Sequence, residues 1–176
     1  MKITGPNGRV VEVDLENRLL VNAVSVTEDK HLNTESKYWS VYASETTPGT
    51  NDYFFYLKNN GLKDLYLTDV RISSSVNLNT MYYEQVSGLA AGGSDAQVTS
   101  RNIGSPRQIG GDVLSGSNIT GLTPLGVLFF QKCDVLSRGY HLRTSSNIII
   151  PQGQAIAFRS ALAAQIEMVV SISEAE

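Results

Sequence analysis

Two histidines, His31 and His141, one cysteine, Cys133, and scattered carboxylates are the side chains from which catalysis or metal binding would have to be built. The histidines stand far apart, and neither belongs to a Glu-x-x-His or Cys-x-x-Cys pattern, so spacing gives zinc no ligand set. A serine nucleophile needs a Gly-x-Ser-x-Gly elbow between a strand and a helix. Here Gly92-Gly93-Ser94-Asp95 and Ser115-Gly116-Ser117 sit in polar tracts of a chain that otherwise reads as strands, and flexible turns are the expectation. Cys133 follows the apolar run at residues 125–130, which predicts a buried small hydrophobe rather than a thiolate. The carboxylates Glu28, Asp29, Glu174 and Glu176 fall in charged or terminal segments, where hydration accounts for them. The expectation is a protein that is not an enzyme and carries no catalytic residue, no cofactor and no metal.

Tyrosine is the residue type in excess, with eight against five phenylalanines and one tryptophan. Its ring supplies contact area and its hydroxyl a hydrogen bond, the combination used at interfaces and sugar platforms. Tyr82 and Tyr83 are the candidate surface contacts, with Tyr38 and Tyr42 a second pair. An aromatic in an alternating strand is more often core or sheet surface, and that reading stands beside the first.

The elements that would position these residues read as strands. Residues 148–173 alternate apolar and polar with period two, interrupted by Pro151-Gln152-Gly153, where proline presets a turn and glycine closes it; a hairpin is predicted there. Residues 38–43 place Trp39 and Val41 on one face and Tyr38 and Tyr42 on the other. Residues 53–58 are aromatic on both faces, which predicts a strand in mid-sheet. After the turn at Asn59-Asn60-Gly61, residues 65–72 run back, and their phase slips between Leu67 and Val70 as a bulge, or a strand buried on both faces, would cause. Residues 80–86 and 96–99 read as short strands on either side of a flexible link at residues 88–93. Residues 101–123 read as a long surface loop, and residues 125–133 are compatible with a strand or a short buried helix. The class is all-β, an antiparallel β-sandwich.

Composition bounds the partners. Hydrophobic residues at 41% against 18% charged suit a packed core, and a net charge of −3 without a basic cluster argues against direct nucleic-acid binding. No apolar run reaches membrane-spanning length, and the first residues lack the apolar core of a secretion signal, so synthesis in the cytoplasm is expected. Residues 1–30 differ from the sandwich at residues 31–176. Their short extended pieces predict either edge strands of the main sheet or an extended arm that adds strands to a neighbouring subunit. The candidate assembly interface is Val11, Val13, Leu19, Leu20, Val21 and Val24.

The segment at residues 11–25, the strand end Tyr56-Leu57-Lys58-Asn59 and the closing Ile149-Ile150-Pro151-Gln152-Gly153-Gln154 together resemble tailed-phage virion proteins of the jelly-roll capsid decoration, or cement, type. The resemblance implies a jelly-roll β-sandwich of about eight strands with an extended N-terminal arm as strap. It further implies a homotrimer on the capsid exterior of the virion, with copies of itself and the major capsid protein as partners. Its expected function is non-enzymatic: decorating and stabilising the capsid by bridging neighbouring capsomers. A neck, tail or head-fibre component, or a carbohydrate-binding jelly roll, are the alternatives.

Overall fold

Alternation of apolar and polar residues forces the strands to bury one face, and a computed structural model shows how they do it. It describes residues 37–133 and 148–175 with their side chains, and the backbone of the strands β1 (Lys2–Thr4), β2 (Val10–Val13), β3 (Leu19–Leu20) and β11 (Tyr140–Leu142). The chain divides into two units, Met1–His31 and Leu32–Glu176. In the first, β1, β2 and β3 pair antiparallel in that order. Val21 and Val24 of the candidate assembly interface lie outside the described residues.

The second unit is all-β: two antiparallel sheets packed as a sandwich. The first sheet holds β4 (Tyr38–Glu45), β6 (Leu65–Ser74), β9 (Gln97–Ser100), β11, β12 (Ile148–Ile150) and β14 (Ile166–Glu174). The second holds β5 (Tyr53–Asn59), β7 (Asn79–Ala91), β8 (Ser94–Asp95), β10 (Gly111–Cys133) and β13 (Ala155–Ser160). The order β4-β14-β6 with β11 and β12 on the far side of β6 faces the order β5-β13-β7-β10. That interleaving is the jelly roll, with β9 and β8 added at the edges.

The core between the sheets is built from alternating strand positions: Val41, Phe55, Leu57, Leu67, Val70, Ile72, Met81, Tyr83, Ile156, Phe158, Met168, Val170 and Ile172 are all buried there. Phe158 sits at its centre, tilted against Phe55 at 4.8 Å and edge-on to Tyr83 at 4.4 Å. β5 is buried on both faces at Phe54 to Leu57 as its composition requires, and it lies within its sheet, between β13 and the first half of β10. The expected phase slip is a bulge at Thr68, where β14 passes from pairing Asp69 to pairing Leu67.

Three expectations are corrected. The predicted hairpin at Pro151-Gln152-Gly153 is a crossing between sheets. The turn forms, with Gly153 at φ 78° and the Gln154 amide donating to the Pro151 carbonyl at 3.0 Å, but β12 pairs with β6 while β13 pairs with β5 and β7. The long loop ends at Gly110, since residues 111–133 form one strand that pairs first with β5 and then with β7. The link at residues 88–93 is largely strand, with only Gly92 and Gly93 leaving it. Gly88, at φ 101°, lies so close to its cross-strand neighbour that a Cβ would stand 2.3 Å from the Gly121 carbonyl oxygen. Only glycine admits that approach.

Candidate functional site

The outer face of the second sheet carries a polar cluster assembled from three strands. Period two turns Tyr82 and Glu84 of β7 outward while Tyr83 faces the core, and Arg159 of β13 meets them across the ladder. Glu84 is 2% exposed and accepts from Arg159 Nη2 at 2.7 Å, from Arg159 Nε at 3.4 Å and from the Tyr53 hydroxyl at 2.5 Å. Arg159 also donates through Nη1 to Asn51 Oδ1 at 2.6 Å and lies over the Tyr82 ring, 4.5 Å from its centroid. Asn51 holds a left-handed backbone, φ 65°, in the loop before β5.

These contacts set the charges. Burial pushes the Glu84 carboxyl up, but the hydrogen bonds from Arg159 and Tyr53 and the guanidinium charge outweigh it, so the group titrates below the ordinary carboxylate range. Burial and the neighbouring Glu84 push the Tyr53 hydroxyl up to about 12. The hydrogen bond to Glu84 raises Arg159 further. The cluster is a closed ion pair whose donors point at its own acceptor. It positions β7 against β13 and β5, and sequence reasoning missed it because Glu84 and Arg159 are distant in the chain.

The first sheet has a counterpart. Arg101, after β9, stacks over the Tyr38 ring at 4.3 Å and donates to Ser40 at 3.0 Å and Ser171 at 3.1 Å. Arg107 pairs with Glu174, and its carbonyl accepts from Trp39 Nε1 at 3.3 Å. Glu174, expected to be hydrated, is buried in this pairing. Residues 101–107 are thereby tied down on the sheet rather than left as a free binding loop.

The predicted residues fall as follows. Val11 and Val13 lie in β2 and Leu19 and Leu20 in β3, while Val21 and Val24 lie outside the described residues. Tyr82 is half-buried between Arg159 and Phe130. Tyr83 is corrected as a surface contact: it is fully buried, stacked on Phe129 at 4.0 Å and 14°, and its hydroxyl donates to Gln131 at 3.1 Å. Adjacent residues of a strand face opposite ways, so one of the pair had to point inward. Cys133 is buried as expected, and burial pushes its thiol up to about 11. His31 lies outside the described residues; His141 belongs to β11. Among the described residues no group of three His, Cys, Asp or Glu side chains could hold a metal ion.

The surface feature that stands out is apolar. Residues 123–128 are all exposed, and Leu125, Val127, Leu128 and Phe130 are 57, 52, 48 and 62% exposed. They lie on β10 where it borders the sheet, paired to β7 on one side. Among the described residues no strand pairs the other side of residues 120–133. No family model, curated protein or solved structure matches the chain.

Proposed function

We propose that this chain is a non-enzymatic virion structural protein that decorates the exterior of a tailed-phage capsid and stabilises it by bridging neighbouring capsomers, its partners being the major capsid protein and other copies of itself. The observation that carries the reading is the apolar exterior edge on β10, beside ion pairs that are closed within the fold. The ion pairs among the described residues are engaged within the fold, and what residues 113–131 of β10 offer outward is uncharged contact surface. A jelly roll of this kind suits assembly, since weak contacts repeated on a symmetric lattice add up through effective concentration. The sequence resemblance to decoration proteins points the same way.

The test is to add the purified protein to capsids that lack it. Saturable binding with raised resistance to heat or osmotic shock upholds the reading; binding confined to a portal or tail complex replaces it with a neck, tail or fibre role. Removing residues 1–31 should leave the sandwich folded and abolish attachment if that unit is the strap. A second reading, a carbohydrate-binding module, draws on the half-buried Tyr82 beside the exposed Phe130, ring centroids 6.4 Å apart. Glycan binding lost in Tyr82→Ala would favour it.

A further inference from the structure

We propose that residues 123–130 of β10 are the surface on which copies of this chain pack against one another around a rotation axis, with Leu125, Val127, Leu128 and Phe130 as the apolar contact. Four of the eleven large hydrophobic side chains left in water among the described residues fall within these few positions of a single strand, whereas the other seven, Ile103 and Leu89 among them, stand on other elements. Isolated exposed hydrophobes need no explanation, but a contiguous strip marks a contact.

The occupant follows from charge. Residues 113–131 contain no charged side chain, although 18% of the chain is charged, and the run is bounded by Asp112 and Lys132. Around a rotation axis each patch meets copies of a surface like itself, so every charge near the axis would confront its own sign. An uncharged strip suits that arrangement, while a basic or acidic partner would require a complementary charge that this strip lacks.

The mode of contact follows from the backbone. The pairing of β10 with β7 shifts register between Thr120 and Leu122, between Pro124 and Gly126, and between Val127 and Phe129. Pro124 has no amide hydrogen to donate. Bulges and an edge proline interrupt the outer row of donors and acceptors, so a foreign strand cannot extend the sheet without limit. Side chains, not a continued ladder, must make the contact, and such a contact can close on itself. At these exposures, covering the four side chains removes on the order of 400 Å² per copy from water, the apolar centre of an interface whose standard size is about 800 Å² per partner.

Sedimentation velocity of the full chain over a range of concentrations tests this. The wild type should sediment as a closed oligomer, and Leu128→Glu combined with Phe130→Glu should sediment as a monomer with an unchanged circular dichroism spectrum. Ile103→Glu, on a different surface, should leave the oligomer intact. Should the doubly charged variant fail to fold, Leu128→Cys decides: mild oxidation should join copies through that position, and Ile103→Cys should stay uncrosslinked. A monomeric wild type, an oligomer that survives the two glutamates in a folded protein, or no crosslinking at position 128 overturns the proposal. Self-association without capsid binding would uphold this surface and overturn the decoration reading; a monomer that binds capsids would do the reverse.

Discussion

Replacing Arg159 with leucine removes the cation from a carboxylate that has almost no access to water. Glu84 keeps only 3% of its side chain exposed, and without Arg159 its remaining partner is the Tyr53 hydroxyl. Breaking a buried pair by deleting one partner costs about 3–5 kcal/mol, and the lower end applies because Arg159 itself keeps 22% of its side chain in water. For a chain of this length a loss of about 3 kcal/mol lowers the melting temperature by roughly 10 °C. The loss should depend on pH in a set direction. In the wild type the depressed Glu84 contributes stability that is full above the unfolded carboxyl value and is lost as pH falls through the folded one. In Arg159→Leu burial prevails, so the carboxyl titrates above its unfolded value and its penalty fades as acid protonates it. Urea denaturation at pH 7 and pH 4 should therefore show a gap between wild type and variant that narrows on acidification. The double variant Glu84→Leu with Arg159→Leu, which leaves no buried charge, should recover most of the loss. A gap below about 1 kcal/mol at pH 7, as for an exposed pair, a gap independent of pH, or a double variant as unstable as the single would refute the account.

Tyr83→Ala should cost about 3–5 kcal/mol in the same denaturation, because it empties the space between Phe129 and Phe158, whereas Tyr82→Ala should cost about 1 kcal/mol or less. Gly88→Ala should lower the melting temperature, its penalty exceeding about 1 kcal/mol, since the new methyl meets the Gly121 carbonyl and the backbone is left-handed there. Cys133, with its thiol buried and pushed up to about 11, should resist a thiol reagent at pH 8 in the native protein and react at once in denaturant.

Period and turn chemistry made much of this fold legible. Alternation placed Trp39, Val41, Met168, Val170 and Ile172 inside, and the slipped phase after Leu67 located the bulge at Thr68. What these signals could not supply was pairing. Residues 148–160 carry every mark of a hairpin, yet β12 and β13 belong to different sheets, because a turn reverses the chain without specifying which strand it meets. The first half of β10 was hidden for another reason. Its Gly, Ser and Asn residues lack alternation, but strand pairing with β5 needs only backbone groups. The Glu84–Arg159 pair was out of reach because its members join through pairing of β7 with β13, which local sequence does not encode. The same gap leaves Tyr82 and Tyr83 undivided in the sequence: without a known register, neither face of β7 can be called the inner one.

Three consecutive residues of β7 link the fold to the exposed strip. Tyr83 fastens β10 from the inside, stacking on Phe129 and bonding to Gln131. Tyr82 meets Phe130 on the outside and is itself held beneath Arg159, which Glu84 anchors. The strip is therefore gripped from both faces of its sheet, although nothing among the described residues pairs its outer edge. A contact surface held in place before it meets a partner loses less conformational freedom on association. The buried ion pair, which by itself adds little net stability over an apolar substitute, also holds Arg159 over the Tyr82 ring that Phe130 meets. In the self-packing proposed for this strip, contact rests on shape and area rather than on charge, since residues 113–131 carry none.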